Sequence, residues 1–265
     1  YDGFKTICVN PCAEIALSAY DSCRLISVNL KNFVKDPFTK KASFDLKEFS
    51  NVIRSATRLS DDLVELENEK LLQIKESCDT ADEKALWTRM IEACMNGRRT
   101  GLGTHGLADA IARLNVPYDS DVAIAIVDDI YRIMKISAYE ESVKLAQERG
   151  AFPVFDWEVE KDNSFIKDLP QVLQAKIRAH GRRNISILTN APTGSVSLLS
   201  QTSTGIEPVF RNSYIRRRKL SHNEQHIKAD FVDDLGDRWM EYKVFHHNVQ
   251  QFLDTLGKKK IPGFF

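Results

Sequence analysis

The chain has 265 residues, 43% hydrophobic and 28% charged, which is ordinary for a globular protein and enough to bury a full core. Its 37 basic and 37 acidic side chains cancel, so no global field argues for nucleic acid or an anionic membrane as partner. No apolar run is long enough to span a bilayer and no basic-then-apolar signal segment opens the chain, which predicts a soluble, cytoplasmic protein forming one large domain or part of a larger one.

The N-terminal segment reads as a loop followed by a strand. Pro11 excludes a helix or central strand around Cys12, which therefore lies on a loop, whereas Cys23–Leu30 is short and rich in branched residues. Apolar residues at helical spacing (Leu46, Phe49, Val52, Ile53, Ala56, Leu59, Leu63, Leu66) predict a helix from Asp45 to about Glu76. A second helix is expected from Ala81 to Asn96, closed by Gly97, and another over Gly103–Leu114. The longest runs from Ser120 to Gly150 and carries Ile126, Ile130, Ile133, Met134, Ala138 and Leu145. Asn184–Thr189 reads as a strand opening into Asn190-Ala-Pro-Thr-Gly-Ser195, after which Val196–Ser200 can begin a helix. Strands separated by long helical blocks imply an α/β fold with parallel pairing. Arg216–Arg218 and Lys258–Lys260 are short charge runs expected on solvated surface, and a chain that begins with Tyr1 reads as a piece of a longer protein.

Three motifs carry little weight. Gly101-Leu-Gly-Thr-His-Gly106 matches a dinucleotide fingerprint, but that motif must follow a strand, and here a helix and Arg98-Arg99 precede it. His222-Asn-Glu-Gln-His226 lacks the glutamate that a zinc-protease helix places after its first histidine, so a surface pair is expected. Cys8, Cys12 and Cys23 have no second pair of ligands at finger-like spacing. Five cysteines do not make a secreted disulfide framework at this length, and Cys78 and Cys94, within helical blocks, are expected to pack in the core.

Two stretches carry chemistry. Asn10 and Glu14 flank Cys12 at i−2 and i+2, so on an extended loop all three side chains share one side and can meet one substrate. A sulfur beside a carboxylate is badly placed as a nucleophile, because the negative charge disfavours the thiolate. It suits one-electron chemistry, in which the thiol loses a hydrogen atom while the carboxylate acts as general base on a substrate hydroxyl. The competing reading is a loop cysteine with incidental neighbours. The second stretch is Ala191-Pro192-Thr193-Gly194-Ser195-Val196: backbone N–H groups at a helix start and the Thr193 and Ser195 hydroxyls form an anion cradle that Gly194 opens to close approach. A plain strand-to-helix turn competes, since these are also turn and cap residues.

The same residues resemble the catalytic subunits of ribonucleotide reductases. Asn10-Pro-Cys-Ala-Glu14 is similar to the family's finger-loop motif, Ala191–Ser195 with Ser203–Phe210 to its substrate-phosphate loop and next strand, and Arg98–Asp109 to a further family stretch. Pro11 and the short interval from Cys12 to Cys23 look most like the adenosylcobalamin-dependent class II enzymes; Ala13, where glycine is more usual, and His105, where a larger apolar residue is common, depart from the pattern. The resemblance implies that residues 1–265 are part of a ten-stranded α/β barrel of two half-barrels, with Cys12 on a central finger loop. It implies that Cys12, as a thiyl radical, removes the ribose 3′ hydrogen, that Glu14 takes the 3′-hydroxyl proton, that Asn10 holds the hydroxyls, and that Cys23 is one member of the reducing dithiol. It further implies a ribonucleotide substrate, adenosylcobalamin as cofactor, thioredoxin or a similar dithiol as reductant, and an upstream segment carrying the first half-barrel and the second dithiol cysteine; the C-terminal cysteine tail is likewise expected outside this chain. A class I large subunit needing a radical-bearing partner and an inactive assembly fragment stay open. The motifs do not distinguish diphosphate from triphosphate substrates.

Overall fold

In a computed structural model, which describes residue 1 and residues 3–257, the chain opens with an antiparallel hairpin of β1 (Cys8–Val9) and β2 (Ala16–Leu17) and then enters β3 (Leu25–Asn29). The Lys258–Lys260 run lies outside the described residues. A second short antiparallel pair, β4 (Val34–Lys35) with β5 (Ser43–Phe44), precedes α1 (Leu46–Ser77). Asp45 caps α1 by accepting the Glu48 N–H at 3.0 Å, and Phe49, Ile53, Ala56, Val64 and Leu71 form its buried face. α2 (Ala81–Gly97) starts in a reciprocal box, in which the side chains of Thr80 and Glu83 each accept the other's backbone N–H, and stops where Arg98 turns left-handed at φ 50°.

The helix expected over Gly103–Leu114 needs correction. Its first part belongs to β6 (Gly101–His105), a fully buried strand paired in parallel with β3 from Leu25↔Gly101 to Asn29↔His105, and only α3 (Leu107–Arg113) is helical. Glycines are poor strand formers, and the reason for them here is the neighbouring segment. A Cβ on Gly103 would stand 2.1 Å from the Thr189 carbonyl oxygen, and one on Gly101 would stand 2.6 Å from Thr189 Cγ2. α4 (Asp121–Arg149) runs from its Ser120 cap to Gly150 at φ 85° and packs along α1. α5 (Trp157–Glu160), α6 (Ser164–Lys167) and α7 (Gln171–His180) fill a connection for which the sequence pattern predicts no element.

Residues 185–189 then return beside β6. Thr100 and Leu102 donate to the Ser186 and Ile187 carbonyls at 2.9 and 2.8 Å, and Thr189 donates back to Leu102 at 3.0 Å. The strand expected over Asn184–Thr189 is therefore a segment that follows β6 with a single parallel bridge, Leu102↔Leu188, among the described residues. α8 (Gly194–Ser200) follows as expected. An antiparallel sheet in the order β7 (Ser213–Lys219), β9 (Arg238–Phe245), β8 (Phe231–Val232) and a last helix, α9 (His247–Thr255), complete the described chain. Parallel pairing is thus confined to β3, β6 and residues 185–189, and no closed barrel is present among the described residues. Arg216 and Arg217 are exposed as expected, while Arg218 is half-buried and paired with Glu224. No described helix is long and apolar enough to cross a membrane.

One face of the parallel layer packs on a core of Val28, Leu102 and Ile187 with Phe49 and Ile53 from α1, Ile130 and Met134 from α4, and Ile177 from α7. The helices are fixed to the layer by a buried carboxylate. Asp61, 0% exposed, accepts from Arg98 Nη2 at 2.8 Å, Asn184 Nδ2 at 3.0 Å, and Arg149 Nη1 and Arg183 Nε at 3.2 Å each. Burial pushes the Asp61 carboxyl up, but the Arg98 and Arg183 guanidinium groups outweigh it and hold the carboxyl below its ordinary range. Asp61→Ala leaves Arg98, 1% exposed, without this partner, and should cost about 3–5 kcal/mol in denaturant unfolding. Because the folded carboxyl is depressed, its contribution is fully present above the unfolded carboxylate range and is lost only as pH falls below about 4. An Asp61→Ala protein within about 1 kcal/mol of the parent at neutral pH would remove this role from Asp61.

Candidate active site

The thiol-bearing loop is a closed turn. Asn10 accepts the Ala13 N–H on its carbonyl at 2.9 Å, donates its own N–H to the Ile15 carbonyl at 3.3 Å, and takes the Ile15 N–H on Oδ1 at 3.1 Å. The extended geometry expected to align Asn10, Cys12 and Glu14 by simple alternation is therefore corrected: a β-turn brings the ends together, and the Asn10 side chain clasps it. Cys12 stands exposed at the tip. Ala13 takes φ 61°, a conformation costing an L-residue roughly 1–2 kcal/mol and open to glycine, which accounts for the glycine expected there.

Glu14 connects the turn to the rest of the site. Its carbonyl accepts the Thr189 hydroxyl in a short hydrogen bond, and its carboxylate Oε2 is buried without a hydrogen-bond partner among the described residues. The charge of Glu14 also reaches Cys23. Burial, then the Glu14 carboxylate, push the half-buried Cys23 thiol up, against the opposing pull of Arg24 and Arg99. The flanks of Cys23 are pinned: Arg24 ion-pairs with Glu67 and donates to the Arg99 carbonyl at 2.7 Å and to Cys94 Sγ at 3.1 Å, and Arg99 pairs with Asp21 at 2.5 Å. Cys94 is a core thiol, pushed up to about 11 by burial. Cys78 is not one; it is half-buried at the end of α1 and donates to the Ile74 carbonyl at 3.1 Å. All five cysteines are free, and Cys8, Cys12 and Cys23 form no metal-ligand cluster among the described residues.

The expected anion cradle begins one residue beyond the Thr189 link. Asn190 Oδ1 accepts the Thr104 N–H at 2.8 Å and its hydroxyl at 3.1 Å, locking the loop to β6. Ala191 and Pro192 lead to Thr193, which is buried and whose hydroxyl oxygen accepts the Gly205 N–H at 2.9 Å. Thr193 thus ties the loop to the Ser203–Phe210 stretch, a role the motif alone does not reveal. Gly194, Ser195 and Val196 are exposed at the first turn of α8; nothing lies within 4 Å of a Cβ built on Gly194, and the Ser195 hydroxyl makes no hydrogen bond among the described residues. Gly194 and Ser195 line a groove of about 840 Å³ with Thr204, Arg211, Tyr214 and His246. His105 joins strand to helix here, bonding Ser27 Oγ through Nδ1 at 2.8 Å and Ser200 Oγ through Nε2 at 3.1 Å. Burial, aided by Lys31, holds its imidazole below the ordinary range. Tyr131, whose hydroxyl bonds Thr104 at 2.7 Å, joins the candidate site without any sequence signal, and Thr189 and Asn190, which open the expected cradle stretch, bond to Glu14 and Thr104 in ways that the motif does not reveal.

Residues 4–261 match the family model described as ribonucleotide reductase, barrel domain. A Mycobacterium tuberculosis protein named vitamin B12-dependent ribonucleoside-diphosphate reductase is 32% identical over 78% of this chain and 25% of its own length. A Thermoplasma acidophilum protein of the same name is 33% identical over 78% of this chain and 22% of its own. A Plasmodium falciparum ribonucleoside-diphosphate reductase large subunit is 31% identical over 91% of this chain and 30% of its own. The chain spans about a quarter of the length of the B12-dependent relatives it matches.

The electrostatic link between Glu14 and Cys23 is measurable. Glu14→Gln removes one of the charges that disfavour the Cys23 thiolate, so the midpoint of the alkylation-rate profile of Cys23, followed peptide by peptide in a mass spectrometer, should move to lower pH. An unmoved midpoint would mean that the carboxylate does not act on this sulfur.

Proposed function

From the premise that this chain belongs to the ribonucleotide reductase barrel-domain family, we propose that it carries the radical-handling part of an enzyme that reduces ribonucleotides to 2′-deoxyribonucleotides. The observation that carries the reading is the bond from the Thr189 hydroxyl to the Glu14 carbonyl. It joins the turn bearing Cys12 to the loop running on through Ala191–Val196, so a nucleotide held by its phosphate groups on that loop has its sugar within the range of the thiol turn.

In this reading Cys12, as a thiyl radical, takes the 3′ hydrogen of the ribose. Glu14, with one carboxylate oxygen buried and unpartnered, accepts the 3′-hydroxyl proton, since a desolvated carboxylate without donors gains most from a new one. Asn10 holds the hydroxyls with the amide group left over from its clasp. The 2′-hydroxyl takes a proton from the thiol pair and departs as water, Cys23 with a second cysteine supplies the two electrons and becomes a disulfide, and Cys12 returns the hydrogen atom to the 3′ carbon. A raised Cys23 thiol suits a donor of reducing equivalents that stays protonated until needed. Thioredoxin or a similar dithiol then restores it, in the cytoplasm, and the parallel layer of β3, β6 and residues 185–189 is part of the ten-stranded barrel. The names of the relatives favour a ribonucleoside diphosphate as substrate.

Adenosylcobalamin is the proposed cofactor, because the proteins of that name in the comparison are described as vitamin B12-dependent; when bound, it supplies the radical equivalent that takes a hydrogen atom from a thiol. The residues present fit that demand: Cys12 is an exposed thiol at the tip of a pinned turn, open to a group outside the chain. The match to a large subunit keeps a second reading, in which a separate metal-bearing subunit supplies the radical.

Two experiments on the complete enzyme test this. Cys12→Ser should abolish deoxynucleotide formation while leaving nucleotide binding nearly intact, because an O–H bond is too strong to be exchanged for a thiyl radical; multiple turnover by this variant refutes the assignment. Ser195→Ala removes a hydroxyl bond to a charged group worth about 1.5–3 kcal/mol, so nucleotide affinity should fall roughly tenfold or more while that of the phosphate-free nucleoside does not. Equal weakening of both ligands would place the phosphate elsewhere. Thr193→Ala is the less clean variant, since it also releases the Gly205 tie.

A further inference from the structure

Away from the thiol turn, one carboxylate gathers two imidazoles. Asp109, in the first turn of α3, is 0% exposed. Its Oδ2 accepts the Ser203 N–H at 2.9 Å and its Oδ1 accepts Asn248 Nδ2 at 2.8 Å. His246 Nε2 lies 3.3 Å from Oδ1 and His247 Nε2 lies 3.0 Å from Oδ2, with the two rings 4.0 Å apart between centroids. Consecutive residues at a helix start ordinarily send their side chains apart; these two converge on one carboxylate, from a part of the chain distant from α3.

We propose that Asp109, His246 and His247 form a binding site for a divalent transition-metal ion, with Zn2+ the best match to two imidazole nitrogens and one carboxylate oxygen. The proposal is independent of the reductase reading. An ion held tetrahedrally about 2.0–2.2 Å from each donor separates neighbouring donor atoms by about 3.3–3.6 Å. His246 Nε2 stands 3.3 Å from Oδ1, inside that interval, His247 Nε2 stands 3.0 Å from the other oxygen, a few tenths of an ångström short of it, and one donor atom from each of the three residues lies within 4.8 Å of the others. The surroundings are those of a supported ligand set: Asn248 and the Ser203 N–H orient the carboxylate, and Arg113 Nε in turn donates to Asn248 Oδ1 at 3.1 Å. Metal binding at His246 Nε2 moves the ring proton to Nδ1 and gives up the bond that Nδ1 accepts from the Asn248 N–H, which at 3.4 Å is a long one. Three protein ligands leave a coordination position for water or an anion, and His246 lines the same groove as Gly194 and Ser195. An ion here would border the proposed phosphate loop.

The test uses Co2+ and Zn2+ on the full chain without an affinity tag. Calorimetry should show one equivalent of Zn2+, and Co2+ should develop the visible absorption of a low-coordinate nitrogen and oxygen site without the sulfur charge-transfer band that thiolate ligation would add. Zn2+ should also raise the unfolding temperature. His247→Ala should lose all three responses, Asn248→Ala should weaken binding by about ten- to a hundredfold, and His222→Ala, on the exposed pair, should bind like the parent. Where Asp109→Asn fails to fold, His247→Ala decides alone, because His247 is only half-buried. No stoichiometric binding by the parent, which would leave a hydrogen-bonded latch only, or binding undiminished in His247→Ala, overturns the proposal.

Discussion

Asp61 is the point on which the architecture turns. A carboxylate with no exposure must be fully paired to be tolerated, and its four partners come from three places: Arg98 after α2, Arg149 at the end of α4, and Arg183 and Asn184 just ahead of the parallel segment 185–189. Arg98, Arg183 and Asn184 each stand a few residues ahead of a segment of the parallel layer, and Arg149 ties the end of α4 to the same carboxylate. Satisfying one charge therefore sets where β6 and residues 185–189 begin, and with them the mutual register of the segments that present the site. Arg98 accepts a left-handed backbone at φ 50° to reach it, a local cost that the buried network offsets.

The site is built outward from that register. Gly101 and Gly103 let Thr189 come so close to β6 that no larger residue fits between them, and at that contact the Thr189 hydroxyl reaches Glu14. Asn190, one step on, is held by Thr104, and Thr193 holds Gly205. The thiol turn and the loop at the start of α8 thus hang from adjacent residues of one segment. Rigid elements place them, and short exposed loops carry the groups proposed to react, which is the division of labour expected where chemistry needs both precision and access.

Elements with their own local signals were legible in the sequence. α1, α2 and α4 each have a capping residue, a continuous apolar stripe and a distinct stop, and their observed bounds lie within a few residues of the expected ones. β6 was not legible, because its glycines signal a turn until the neighbour that requires them is known. The turn at Asn10 was misread as extended because alternation says nothing about a side chain that bonds its own backbone. The residue types at Cys12, Glu14 and Cys23 were readable, whereas Thr189, Asn190 and Tyr131 act only through contacts between distant segments. The antiparallel sheet of β7, β9 and β8 has exposed apolar and basic residues on the same strands, so it lacks the clean alternation by which a strand is recognised.

The clasp at Asn10 has a directional effect. With Oδ1 taking the Ile15 N–H, the NH2 end of that amide keeps two N–H donors without a partner among the described residues. Whatever faces it must present a lone pair, and a hydroxyl that does so has its own hydrogen free to turn elsewhere. The carboxylate of Glu14, two residues beyond the tip and with its unpartnered Oε2, offers acceptors and no donor when ionised. In the proposed reading, donor on one side and acceptor on the other sort the two ends of a substrate O–H bond before any reaction begins, so the turn would orient the alcohol as well as hold it.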